Sequence, residues 1–128
     1  MGSLNYDLTG RKILVVEDND TSRYYYQVAL NKSHANTLWA KNGIEALSLF
    51  EHNPDIDLVL MDLNMPEMDG YEATRLIKKL KPGIPVIVQS AFILSGEETK
   101  SYEAGCDEFL AKPVRLKLLM EAIGRYLK

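Results

Sequence analysis

Five short apolar runs set the limits on what this chain can fold into. They occupy residues 13–16, 35–40, 58–61, 86–88 and 109–111, and each is followed by a stretch with helical spacing. Runs this short do not pack as independent helices, but they suit strands buried on both faces of a parallel sheet. Five strands alternating with five helices predict an α/β fold, doubly wound, with right-handed crossovers. At 128 residues the chain is one domain, large enough to need no metal or disulfide staple.

The helix signals are uneven. The first helix is expected to start at Asp20 or Thr21, with either able to cap it, and to run to about residue 31. Its consecutive Tyr24, Tyr25 and Tyr26 cannot share one face, so at least one should be exposed. Asn42 precedes Glu45, Asp69 precedes Glu72, and Ser95 precedes Glu98, each a cap residue followed three positions later by an acid. Buried stripes are expected from Ile44, Leu47 and Phe50 in the second helix and from Ala73, Leu76, Ile77 and Leu80 in the third. Pro82 and Gly83 end the third. The fourth is polar (Glu97, Glu98, Lys100, Ser101, Glu103) and should be the least firmly packed. The fifth has Leu116, Leu119, Met120, Ile123 and Leu127 on one face but no good cap residue. Trp39 is the expected anchor of the run at 35–40, which reads as an edge strand.

A net charge of −3 gives no reason to expect nucleic acid or an acidic membrane as a partner. No apolar run approaches the roughly 20 residues of a membrane span. A single cysteine, Cys106, cannot form an internal bridge, which fits a reducing cytoplasmic setting.

The chemistry gathers where the strands end. Glu17 and Asp18 follow the first run, Asp62 the third, Ser90 the fourth and Lys112 the fifth. In a doubly wound sheet these ends converge on one crevice. Three carboxylates in one place repel unless a cation intervenes, and an oxygen-only donor set suits Mg²⁺. A lysine beside them neutralises the cluster or holds an anion that the metal also touches. Metal, lysine and hydroxyl around an exposed Asp form a site for phosphoryl transfer to a carboxylate. Taken singly, each residue has an ordinary explanation: an acidic turn, a strand-end hydroxyl, a surface lysine. The set in register does not.

These residues resemble a response-regulator receiver domain of two-component signalling, on LVVEDN (Glu17, Asp18), LMDLNMPEMDG (Asp62), VQSA (Ser90, Ala91) and FLAKP (Lys112, Pro113). The likeness covers about residues 11–127, leaving 1–10 as an N-terminal extension whose first four residues are compatible with a cloning remnant and 11–128 as the receiver domain. It implies a flavodoxin-like five-stranded sheet of order 2-1-3-4-5 with five helices. It implies that Asp62 accepts a phosphoryl group from a histidine-kinase phosphohistidine. Asp18, Asp62 and the backbone carbonyl of Asn64 would ligate Mg²⁺, with Glu17 acting directly or through water. Lys112 would pair with the phosphoryl oxygens and Ser90 would hydrogen-bond to them. Ala91 would leave access open, the bond before Pro113 would be cis, and Phe109 would be the aromatic switch coupled to Ser90. Asn64 and Phe92 would flank the path of the hydrolytic water.

Such a domain is a signalling switch that catalyses only its own phosphorylation and dephosphorylation, not an enzyme with a separate substrate. MDLNMPEMDGYEA is similar to receivers of hybrid sensor kinases, and the chain stops just after the fifth helix. The expectation is a cytoplasmic receiver excised from such a kinase, or a stand-alone one. Its partner would be a histidine kinase, possibly in the same polypeptide, or a histidine phosphotransfer protein. Three rivals are weaker. A haloacid-dehalogenase-type phosphatase needs an acid where Asn64 stands. An FMN module needs a Ser/Thr/Gly-rich loop where EDND stands. A degenerate scaffold would lack at least one of the core residues present here.

Overall fold

The computed structural model describes residues 7–63, 70–91 and 96–127, and in it strands and helices alternate as expected. The elements are β1 (Lys12–Val16), α1 (Asp20–Lys32), β2 (Asn36–Ala40), α2 (Gly43–His52), β3 (Leu58–Asp62), α3 (Gly70–Leu80), β4 (Val86–Ser90), α4 (Glu97–Glu103), β5 (Glu108–Ala111) and α5 (Leu116–Tyr126). All neighbouring strands pair in parallel, in the order β2-β1-β3-β4-β5. The order reverses between β1 and β3, which opens a crevice at their carboxyl ends.

Successive strand residues point to opposite faces, so the one sheet feeds two apolar layers. Leu14, Val16, Val59, Met61, Val86 and Val88 pack with Phe50 of α2 and with Ala73 and Ile77 of α3. Ile13, Val15, Leu58, Leu60 and Ile87 pack on the other face with Tyr26 and Leu30 of α1 and with Leu119, Met120 and Ile123 of α5. Every residue of β3 and β4 is buried, which is why their apolar residues, 58–61 and 86–88, run unbroken and do not alternate. Leu8, ahead of β1, is buried in the second layer, and its N–H donates to the Ser33 carbonyl at 2.7 Å.

Several local expectations are corrected. α1 is capped by Asn19, not by Asp20 or Thr21: extended backbone at Asn19 lets its Oδ1 accept the Ser22 N–H at 2.9 Å. Asn42 caps α2 as expected, accepting from Glu45 N–H at 2.8 Å, but Glu45 Oε1 reaches past the cap to the Lys41 N–H. The buried line of α2 is Gly43, Ala46 and Phe50, and Ile44 is 52% exposed. The small residues let α2 lie close to the sheet, which turns Ile44 about a third of a turn outward.

In α3 the buried line is Gly70, Ala73, Thr74 and Ile77. Leu80 is 53% exposed and joins Leu47 and Leu76 along a shallow groove between α2 and α3. At α4 the cap position is held by Gly96, at φ +90°, with no side-chain bond. Ser95 and Asp69 lie outside the described residues. Trp39 is half-buried and Ala40 is the buried residue of the edge strand β2; the Arg23 guanidinium covers the indole at 5.5 Å.

Candidate functional site

The β1–α1 turn is built around Glu17. Burial is nearly complete, and both carboxylate oxygens are used: Oε2 accepts the Asn19 N–H at 3.3 Å and Oε1 accepts from Lys112 Nζ at 2.8 Å. With Asn19 in turn capping α1, the chain between them is pinned and Asp18 is left exposed at the crevice mouth. Asp62, the last residue of β3, is 2% exposed and lies one strand away. Carboxylate oxygens of Glu17, Asp18 and Asp62 all lie within 4.8 Å of one another. The order of strand ends predicts these three together, and the fold brings them together.

Lys112 enters from the end of β5 and bridges two of the acids, at 2.8 Å to Glu17 and 3.4 Å to Asp62 Oδ1. Its backbone N–H donates to the Ser90 carbonyl at 2.8 Å, which ties the ends of β4 and β5 together beside the acids. The Lys112–Pro113 peptide bond is cis, as expected. Ser90 is fully buried, and its Oγ donates to Glu97 Oε1 at 2.7 Å. Ala91 is exposed at the crevice edge. Phe109 is half-buried and packs against the α2–α3 layer. Asn64 and Phe92 lie outside the described residues. His34 and His52 are exposed, each at or just beyond the carboxyl end of a helix.

A cavity of about 520 Å³ opens beside Lys112, lined by Thr21, Ser22, Tyr25 and Tyr26 of α1 and by Ala91, Pro113 and Val114. Tyr25 spans it, its hydroxyl donating to the Val114 carbonyl at 2.9 Å, with the Tyr26 ring edge-on at 5.8 Å. Of the three tyrosines, Tyr24 is 69% exposed and Tyr26 is 2% exposed. Burial raises the Tyr26 hydroxyl well above the ordinary tyrosine range, and the negative charges of Glu17 and Asp62 raise it further. It therefore stays a neutral hydroxyl. Asn19 as the cap, the Tyr25 bond and the Glu97 contact are not among the features expected from the sequence. Asn19 was signalled by its type and place; the other two pair residues 89 and seven positions apart through side-chain geometry alone.

The donor set fits a hard divalent cation. Three carboxylates meet within 4.8 Å and are met, among the described residues, by the ammonium of Lys112. Oxygen ligands alone, two of them buried and one at the mouth, suit Mg²⁺ and not a thiolate- or imidazole-seeking metal.

Comparison with known proteins agrees with this geometry. Residues 13–124 match the response regulator receiver domain. A polar-differentiation response regulator, DivK of Brucella anthropi, is 36% identical over 121 residues, covering 91% of this chain and 96% of that protein. The receiver domain of the sensor histidine kinase PA1611 of Pseudomonas aeruginosa, solved with a magnesium ion in its active-site cleft, superposes with a TM-score of 0.85 at 30% identity. That match covers 93% of this chain and 98% of the other. A Saccharomyces cerevisiae receiver, Ssk1, solved with the histidine phosphotransfer protein Ypd1, superposes equally well at 25% identity, over 94% and 90% of the two chains. The chain belongs to the response regulator receiver family of two-component signalling.

Proposed function

We propose that this domain takes a phosphoryl group onto Asp62 from a phosphohistidine of a histidine kinase or phosphotransfer protein, and changes conformation as a result. The observation that carries the reading is the pairing of a nearly buried Asp62 with two further acids and one lysine at the switch point of the sheet. An Asp62 oxygen attacks phosphorus, the P–N bond breaks, and the imidazole leaves with its electron pair and takes up a proton. Attack by water on the acyl phosphate later restores the carboxylate and releases inorganic phosphate. Glu17, Asp18 and Asp62 would hold Mg²⁺, which supplies charge neutralisation for the transferring oxygens. Lys112, now turned to Glu17, is 3.4 Å from Asp62 and positioned to pair with a phosphoryl oxygen there. The cavity between α1 and Pro113 borders this point and offers tyrosine faces to a docking helix. The domain serves as a switch: it takes the phosphoryl group from its donor, holds it as its own acyl phosphate and loses it to water, with no separate substrate.

Intact-mass measurement after incubation with acetyl phosphate and Mg²⁺ tests this. Wild type should gain one phosphate, and Asp62→Asn or omission of Mg²⁺ should abolish the gain. A wild type that forms no adduct, or an adduct that persists in Asp62→Asn, would overturn the reading.

A further inference from the structure

The hydroxyl of Ser90 is already engaged. Its Oγ donates to Glu97 Oε1 at 2.7 Å, although Ser90 is fully buried and Glu97 belongs to the next helix. A serine hydroxyl carries one proton, whereas an ionised carboxylate and a phosphoryl group are both acceptors only. That proton serves one of them at a time. We propose that Glu97 is a positioning residue: it holds the Ser90 hydroxyl, and with it the start of α4, in the resting arrangement until a phosphoryl group on Asp62 takes the proton over. This inference rests on the assignment of Asp62 as phosphoacceptor and names the group that the phosphoryl must displace.

Glu97 is the hinge of its helix in two ways. Its carboxylate meets Ser90 at the end of β4, and its carbonyl accepts from Ser101 Oγ at 2.9 Å. Ser101 is the one buried residue of α4, and the cap residue Gly96 makes no side-chain bond. The first turn of α4 therefore has no apolar anchor of its own in the described residues. Among the described residues a charge-assisted bond ties it to the sheet, and such bonds are about twice as strong as neutral ones. Losing that bond frees both ends together, the hydroxyl to turn toward Asp62 and the helix to shift.

The test compares Glu97→Gln with Glu98→Gln in the whole chain. Gln is nearly the same size but lacks the charge that commits the Ser90 proton, and Glu98, exposed on the same turn, controls for charge alone. Hydrogen exchange of α4 in the unphosphorylated protein is the first readout, and the phosphorylation rate with acetyl phosphate is the second. Glu97→Gln should speed both by about threefold to tenfold, since the rate follows the fraction of molecules whose Ser90 hydroxyl is released from residue 97. Glu98→Gln should change neither, and in a Ser90→Ala background Glu97→Gln should add nothing to the rate. Unchanged exchange in Glu97→Gln, or an equal effect from Glu98→Gln, overturns the role of Glu97 while leaving Asp62 intact. A wild type that cannot be phosphorylated overturns the Asp62 assignment and the displacement with it.

Discussion

α4 and α5 both begin without a side-chain cap: Gly96 and Arg115 hold the cap positions and neither makes such a bond. Beyond that point they diverge. α5 buries Leu119, Met120, Ala122 and Ile123 against β1, β3 and β4, while α4 buries Ser101 alone among its described residues. α5 is also tied at its far end, where the Tyr126 hydroxyl donates to the Asp107 carbonyl at 2.9 Å and lies 3.1 Å from Glu108 Oε1. Caps contribute about 1 kcal/mol, a buried leucine several times that, so packing decides which helix is fixed. The helix left to polar bonds is the one beside Ser90. Elements of low local stability are the ones that switches move.

The largest effect expected from this contrast is in the core. Leu119→Ala should lower the free energy of unfolding by about 2–5 kcal/mol, because the side chain is fully buried in the apolar layer that α5 shares with α1 and the sheet. Ser101→Ala removes a bond within α4 itself and should lower it by less than about 1 kcal/mol, the net worth of one hydrogen bond. Urea denaturation of the two variants measures both. Equal losses would mean that α4 is as integral as α5.

That contrast is partly legible in the sequence. The polar run from Glu97 to Glu103 and the spacing of Leu116, Leu119, Met120 and Ile123 differ plainly in pattern, and the structure keeps the difference. The acidic trio and Lys112 were legible for another reason: strand ends are fixed by topology, so residues 95 apart meet if the alternation is right. Faces of helices were less legible. Ile44 and Leu80 have the right period but the wrong phase, since Gly43, Ala46 and Gly70 bring α2 and α3 in on their smallest residues. A Cβ at Gly70 would stand 2.6 Å from the Asp62 carbonyl oxygen, so the start of α3 presses on the very residue that ends β3. Periodicity records which residues are apolar, and closeness of approach decides which of them are covered.

A smaller effect separates α4 from the rest of the domain. Gly96 has φ +90°, and a Cβ there would meet nothing within 4 Å, so Gly96→Ala incurs only the conformational penalty of that backbone, about 1 kcal/mol. In a firmly packed helix that penalty would appear in the global unfolding free energy. In α4 it should appear chiefly as faster hydrogen exchange of residues 97–103, with the urea midpoint nearly unchanged. A midpoint shift matching the full penalty would show α4 unfolding only with the whole domain.

The smallest effect concerns the tether at the end of α5, and pH isolates it. Burial, and then the bond and charge of Glu108, push the Tyr126 hydroxyl from its ordinary value of 10.0 up to about 12. A proton held more tightly in the folded state makes its contribution in full below the unfolded value and loses it as pH rises through the folded one. The stability advantage of wild type over Tyr126→Phe should therefore be constant below about pH 10 and close as pH rises toward 12. Cys106 adds an earlier decline common to both proteins, since burial raises its thiol from 9.0 to about 12. Tyr102 on α4 is raised as well, mainly by burial, but its ring is 46% exposed and its surroundings are screened by water. Wild type compared with Tyr102→Phe should then show a weaker pH dependence than the Tyr126 pair. Equal slopes would place the two helix ends in like environments and remove the distinction between a tethered α5 and a loosely held α4.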